Sequence, residues 1–115
     1  MSWSKLLEAG RIDRHPSSMR ELDGIRAAIQ RNLKDAALAG LSADNRFALA
    51  YEAALLAAKM AVHCAGYRAK AVPGAHRTLF EGMVVALGTV IRDQADFFEL
   101  CRRKRNDLSY EAAGS

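Results

Sequence analysis

The fold is decided by residues 43–65, which read ADNRFALAYEAALLAAKMAVHCA. Apolar side chains occupy nearly every face of this stretch, and Glu52, Lys59 and His63 leave only a narrow polar stripe. A serine directly before the stretch and a glycine directly after it are typical of the start and end of a helix. A helix that is apolar almost all round usually lies at the centre of a bundle. The stretch therefore predicts an all-α fold packed around it.

The flanking sequence predicts further helices on both sides. The predicted spans are 3–9, 19–39, 75–87 and 90–108, separated by segments that contain Gly, Pro and cations. Ser18 and Glu21 have the spacing of a capping box at the start of the first long helix. We therefore expect an up-and-down four-helix bundle with a short extra N-terminal helix. A chain of 115 residues suits one domain, 1–115, with its core at about 18–110.

Composition and charge restrict the function classes only loosely. The formal net charge of +4 is mild and does not require a nucleic-acid partner. We found no charge-free apolar run near ~18 residues, so no membrane span is expected. The first residues lack the apolar centre of a secretory signal, which favours the cytoplasm. Cys64 and Cys101 are accordingly expected to be reduced.

The sequence offers no recognisable metal or cofactor motif. It has no Gly-rich phosphate loop, no Cys-x-x-Cys and no Glu-x-x-His of the kind used by di-metal bundles. His15 and His76 are isolated along the chain, and His63 is adjacent to Cys64, so that these two point in different directions. We therefore predict no metal site and no cofactor.

The last predicted helix contains a break in its apolar pattern. Steps of three and four residues back from Leu108 reach Arg105, Cys101, Phe98 and Gln94, which form a heptad-like seam. Arg105 thus occupies a position where a core side chain is expected. A charge there is costly unless it is paired, bound to a ligand or facing a cleft. Arg105 is therefore the first candidate for a functional residue.

The surroundings of Arg105 resemble the motif of HEPN domains, in which Arg is followed after four to six residues by His. Arg105 and Asn106 match the first half of this motif, and Tyr110 stands where the His would fall. Residues 46–51 (RFALAY) and 73–77 (PGAHR) are also similar to one HEPN branch. The resemblance covers roughly residues 18–110.

This resemblance implies a two-fold homodimer in which the motifs of both chains meet at a cleft. Many HEPN domains are metal-independent ribonucleases, others are binding modules, and some work with a nucleotidyltransferase partner. The implied catalytic positions are Arg105, Asn106 and Tyr110, and the neighbouring cations Arg102, Arg103 and Lys104 are candidates for RNA binding.

Tyrosine at position 110 changes the expected chemistry. Its unperturbed pKa is near ~10, against ~6.5 for histidine, so that Tyr110 is a neutral donor and a poor general base. We therefore expect a dimeric RNA- or nucleotide-binding or regulatory module with a degenerate nuclease motif. The alternatives are a toxin-like ribonuclease and a helical scaffold in which Arg105 pairs with a carboxylate. Positions 105 and 110 are about 140° apart on a helix, so they converge only if the helix ends near 108 or a second chain contributes one of them.

Overall fold

The computed structural model describes the backbone of residues 1–114 and the side chains of residues 1–108. This part of the chain is mainly helical and contains a small two-stranded sheet. Its elements are α1 (Trp3–Glu8), β1 (Ile12–Arg14), α2 (Met19–Ala36), α3 (Ala43–Cys64), β2 (Tyr67–Ala69), α4 (Ala75–Leu87), a 3-10 turn (Thr89–Ile91) and α5 (Arg92–Gly114). The five predicted helices are confirmed, although α2 ends earlier than predicted and α5 continues beyond residue 108.

The structure is compatible with the predicted all-α fold, and it adds a small two-stranded sheet that the sequence did not predict. β1 pairs with β2 in antiparallel register, with Ile12 opposite Ala69 and Arg14 opposite Tyr67. The backbone N–H of His15 extends the ribbon by donating to the carbonyl of Gly66 at 2.8 Å. Each strand has only three residues, which is too short for the alternating pattern that identifies strands in a sequence.

The central position predicted for α3 is consistent with its contacts, because α2, α4 and α5 all pack against it. The buried core cluster comprises Tyr51, Leu55, Ala58, Val62, Leu79, Phe80, Met83, Val84 and Ala95. The predicted caps are also present, since the Ser18 and Ser42 hydroxyls accept the N–H groups of Glu21 and Asn45, each at 3.1 Å. Length and composition alone would allow α3, within the described chain, to cross a membrane. A buried core helix meets the same criteria.

A glycine allows α4 to approach α3 closely. A Cβ atom added at Gly82 would lie 2.7 Å from Cγ2 of Val62 and 3.6 Å from the Trp3 ring. Trp3 in turn stacks on Tyr67 with ring centroids 4.6 Å apart, which docks α1 on the ribbon. This close approach fixes the position of α4 and hence of His76 in its first turn.

The apolar seam predicted for α5 is only partly correct. Phe98 and Cys101 pack against the core as expected, whereas Gln94 is exposed and its neighbour Ala95 is buried instead. Val90, in the 3-10 turn, and Phe97, on α5, are 83% and 61% exposed. The buried face of α5 therefore follows Ala95, Phe98 and Cys101, and it leads directly to Arg105.

Candidate functional site

Arg105 lies against an aromatic ring of the central helix. Its Cζ atom is 5.7 Å from the centroid of the Tyr51 ring, which is a cation–π geometry. The side chain is half-buried. No carboxylate among the side chains of residues 1–108 forms an ion pair with it. Arg105 is thus positioned by the face of Tyr51, while its N–H groups remain suited to binding an anion.

His76 joins these two residues from a third helix. Its Nδ1 atom lies 3.1 Å from the hydroxyl of Tyr51. Gly74 begins α4 with a left-handed backbone at φ 87°, and this turn brings His76 into the first turn of the helix. We refer to Arg105, Tyr51 and His76, which come from α5, α3 and α4, as the Arg105 cluster.

The protonation states of this cluster follow from burial and from the arginine charge. Burial, assisted by the charge of Arg105, lowers the pKa of His76 below its usual value of 6.5. Burial raises the pKa of Tyr51 to about 12, although Arg105 opposes the shift. At neutral pH the cluster therefore contains one cation, a neutral imidazole and a neutral phenol. The contact between the phenol and Nδ1 fits both tautomers of His76. A phenol that donates to Nδ1 leaves the N–H on Nε2, and an Nδ1–H that donates to the phenol leaves Nε2 as an acceptor.

The three cations predicted to bind RNA have different environments. Arg102 is half-buried and pairs with Glu99 at 2.6 Å, and this hydrogen bond raises the pKa of Arg102. Lys104 is exposed, and its Nζ atom lies 4.8 Å from the centroid of the Phe47 ring. Arg103 is also exposed. Of the three, Arg103 is the simplest surface cation.

The other two predicted motif residues are less informative. Asn106 is half-buried on α5, next to Arg105. The side chain of Tyr110 lies outside the described residues. α5 runs to Gly114, so the helix does not end near residue 108. An end near residue 108 was the condition for positions 105 and 110 to converge within one chain. Contribution of one of these positions by a second chain stays a prediction.

An apolar groove between α3 and α5 adjoins the Arg105 cluster. It is lined by Phe47, Ala50, Tyr51, Ala54, Phe97, Phe98 and Cys101. Tyr51 thus belongs to both features, since it lines the groove and contacts His76 through its hydroxyl. Phe97 and the nearby Leu100 are each about 60% exposed.

A second polar cluster lies at the other end of α3. Nε2 of His15 is 2.9 Å and 3.0 Å from the two carboxylate oxygens of Glu21, and Nδ1 of His63 is 3.0 Å from Oε1 of the same carboxylate. The prediction that His15 is isolated is therefore wrong. Burial lowers the pKa of His63, and the hydrogen bond with His15 lowers that of Glu21. We refer to His15, Glu21 and His63 as the His15 cluster, which could hold a metal ion.

Two members of the Arg105 cluster were not predicted to be functional residues. The sequence alone places Tyr51 in the predicted central helix and His76 near the start of the predicted helix 75–87, and it assigns a function to neither side chain. Both lie in the stretches 46–51 and 73–77 that carry the HEPN resemblance, which was the available signal. Their proximity depends on the packing of α4 on α3, which spacing along the chain does not reveal.

Comparison with known proteins yields no relative for this chain. No family model, curated protein or solved structure matches it. The HEPN assignment accordingly stays a resemblance based on the residues quoted above. The function is therefore argued from the geometry of the Arg105 cluster.

Proposed function

We propose that the chain is a HEPN-like domain, built as an up-and-down four-helix bundle, that acts in the cytoplasm as a dimeric RNA- or nucleotide-binding or regulatory module. The observation that supports this proposal is the half-buried Arg105 over Tyr51, beside a neutral His76. A guanidinium group presents a planar set of donors that matches two phosphate oxygens. The expected ligand is therefore a phosphate of RNA or of a nucleotide.

The electrostatics of the cluster favour an anion. The charge of Arg105 helps to keep His76 neutral. A phosphate bound to Arg105 would offset that charge, and it would accept a hydrogen bond from the imidazole. Tyr51 is only 3% exposed. Its ring therefore orients the guanidinium of Arg105 and the imidazole of His76, and it is not available to stack on a base. The cluster is thus suited to recognising the backbone of RNA more than its sequence.

The binding experiment compares two variants that each remove one positive charge. Arg105→Ala should weaken binding of a fluorescent single-stranded RNA at least tenfold in an anisotropy titration. Arg31→Ala, at an exposed position of α2, is the control and should change the affinity only slightly. Equal losses in both variants would mean non-specific attraction to a basic protein. Absence of binding in the wild type would favour the helical scaffold.

Dimerisation is proposed through the groove between α3 and α5. Phe97 lines this groove and is 61% exposed, so it presents a large apolar side chain to a partner there. The radius of gyration is 14.8 Å, which is larger than the roughly 13.4 Å of a compact chain of this length. The chain is therefore less compact than a typical domain of its size. Light scattering should give a dimer for the wild type and a monomer for Phe97→Glu, and a wild-type monomer at micromolar concentration would contradict the proposal. A nucleotidyltransferase partner stays a prediction of the resemblance.

The alternative of a metal-independent ribonuclease is favoured by the position of His76. A neutral imidazole beside Arg105 supplies a proton acceptor of the kind that Tyr110 lacks. In this mechanism Nδ1–H of His76 donates to the Tyr51 hydroxyl, which leaves Nε2 free to remove the proton of the attacking 2′-hydroxyl. The 2′-oxygen then bonds to phosphorus, the bond from phosphorus to the 5′-oxygen breaks, and the leaving 5′-oxygen takes the proton from the imidazolium. Arg105 stabilises the charge on the phosphate. Cleavage of RNA in excess chelator that is lost in both Arg105→Ala and His76→Gln would support it. Binding without cleavage, with a gain of cleavage in Tyr110→His, would support the degenerate binding module.

A further inference from the structure

We propose that the His15 cluster is a binding site for a divalent first-row transition-metal ion such as Zn²⁺. Two imidazole nitrogens and one carboxylate are its protein ligands. One potential ligand atom from each of the three residues lies within 4.8 Å of the others. The proposal is independent of the function proposed for the Arg105 cluster.

The distances within the cluster suit ligands of a single ion. Each imidazole nitrogen lies 2.9–3.0 Å from a carboxylate oxygen of Glu21. Zn²⁺ binds His nitrogen and carboxylate oxygen at about 2.0–2.2 Å, so two ligands at angles between 90° and tetrahedral are separated by about 2.9–3.5 Å. The observed nitrogen–oxygen distances fall within this range. The two imidazole nitrogens, which lie within 4.8 Å of each other, would approach to about 2.9–3.5 Å when an ion binds.

Each ligand is held by its own segment of backbone. The N–H of His15 donates to the carbonyl of Gly66, and the N–H of Gly66 donates to the carbonyl of His63. These two bonds place both histidines at the C-terminal end of α3. Glu21 is fixed by the cap of α2, where its own N–H donates to Ser18. The ligands are therefore arranged before any ion binds, which lowers the entropic cost of binding.

The side chain of Glu21 departs from the role that the sequence predicts for it. In a capping box the Glu carboxylate accepts the N–H of the capping serine. Here the described contacts of the carboxylate are with His15 and His63 instead. His63 is only 6% exposed and would otherwise be an ordinary buried histidine. Glu21 and His63 each provide the hydrogen-bond partner that the other needs. His15, the second imidazole, is therefore not required as a partner for either of them.

The donor set indicates which class of ion would bind. Two imidazoles disfavour Mg²⁺ and Ca²⁺, which prefer oxygen ligands. Two His and one carboxylate are a ligand set of zinc enzymes and of iron sites, and both leave positions open for water or a substrate. An ion here would link the end of β1, the first turn of α2 and the last turn of α3.

A metal titration with matched histidine variants tests the proposal. After treatment with a chelator and its removal, the wild type should bind one equivalent of Zn²⁺ by calorimetry, and Co²⁺ should give a visible absorption spectrum. His15→Gln and Glu21→Gln should each weaken binding at least tenfold. The control His76→Gln removes the third histidine of the chain, which lies outside the cluster, and should bind like the wild type.

The same titration distinguishes a metal site from a hydrogen-bonded clasp. A wild type that binds neither ion, or unchanged binding in His15→Gln, would overturn the proposal and leave Glu21 as a shared hydrogen-bond acceptor. Equal losses in His76→Gln would also overturn it. Cys64→Ser should retain full affinity, because the exposed thiol is not among the proposed ligands. His15 has a side chain 26% exposed, so His15→Gln should remain folded, which circular dichroism checks. Failure of RNA binding would leave this result unaffected.

Discussion

Replacement of Gly82 by alanine tests the close packing that positions α4, and hence His76, against α3. The added methyl would lie 2.7 Å from Cγ2 of Val62, a distance that real Cβ atoms essentially never show. Val62 is 1% exposed and has little space to move aside. Overpacking of this kind costs about 1–3 kcal/mol, whereas the better helix propensity of alanine contributes about 1 kcal/mol. We expect a net loss of up to about 2 kcal/mol in the free energy of unfolding.

Gly24→Ala is the matched control for this substitution. Gly24 also lies inside a helix, α2, but an added Cβ would meet nothing within 4 Å. The same gain in propensity should therefore stabilise the protein by up to about 1 kcal/mol. Urea denaturation measures both changes, and thermal unfolding should show midpoint shifts of opposite sign, about 3–6 °C per kcal/mol for a chain of this size.

Removal of the obstructing methyl provides the decisive comparison. In a Val62→Ala background the atom that Gly82→Ala would meet is absent, so the second substitution should become neutral or stabilising. Stabilisation by Gly82→Ala in the wild-type background, equal to that by Gly24→Ala, would refute the close approach of the two helices. The position of His76 beside Tyr51 and Arg105 would then lose its structural basis.

Two further predictions concern the Arg105 cluster. Tyr51→Phe keeps the buried ring but removes the hydroxyl 3.1 Å from His76, so the free energy of unfolding should fall by about 1 kcal/mol; urea denaturation checks this, and an unchanged value would mean that the hydrogen bond is not formed in solution. The pKa of His76 is lowered from 6.5, so the unfolded chain binds more protons than the folded one as the pH falls through this value. The stability should therefore decrease below about pH 6.5 and level off below the folded-state pKa. In the presence of a chelator, His76→Gln should reduce this dependence of stability on pH. Arg105→Gln should raise the pKa of His76, as measured by NMR. A pKa of His76 that is unchanged or lower in this variant would contradict the proposed effect of the Arg105 charge.

The helices could be predicted because their signals are local. Ser18 and Ser42 act as caps through bonds to residues three positions later, so the information lies within one turn. The strands could not be predicted, because Ile12–Arg14 and Tyr67–Ala69 are short and are separated along the chain by α2 and α3. Long-range pairing of this kind has no signature within either segment.

The candidate sites show the same division between local and long-range information. Arg105 was found because it interrupts an apolar seam within a single helix. His76 was not assigned to the site, because its partner Tyr51 is 25 residues away. The spacing along the chain makes His15 look isolated, although it contacts Glu21, and Glu21 in turn contacts His63, which lies 42 residues beyond Glu21. Spacing detects ligands on one helix and overlooks ligands contributed by several elements.

Each of the two clusters contains a polar group that is carried by the otherwise apolar helix α3. The Tyr51 hydroxyl and the His63 ring are carried into the interior by α3, and each requires a hydrogen-bond partner there. His76 satisfies the first and Glu21 satisfies the second, so burial alone accounts for one pair at each end of the helix. It does not account for Arg105 or His15, which approach these pairs without being needed to satisfy them. These surplus groups, about 18 Å apart along α3 as judged from Tyr51 and His63, are the reason to expect a ligand at each end.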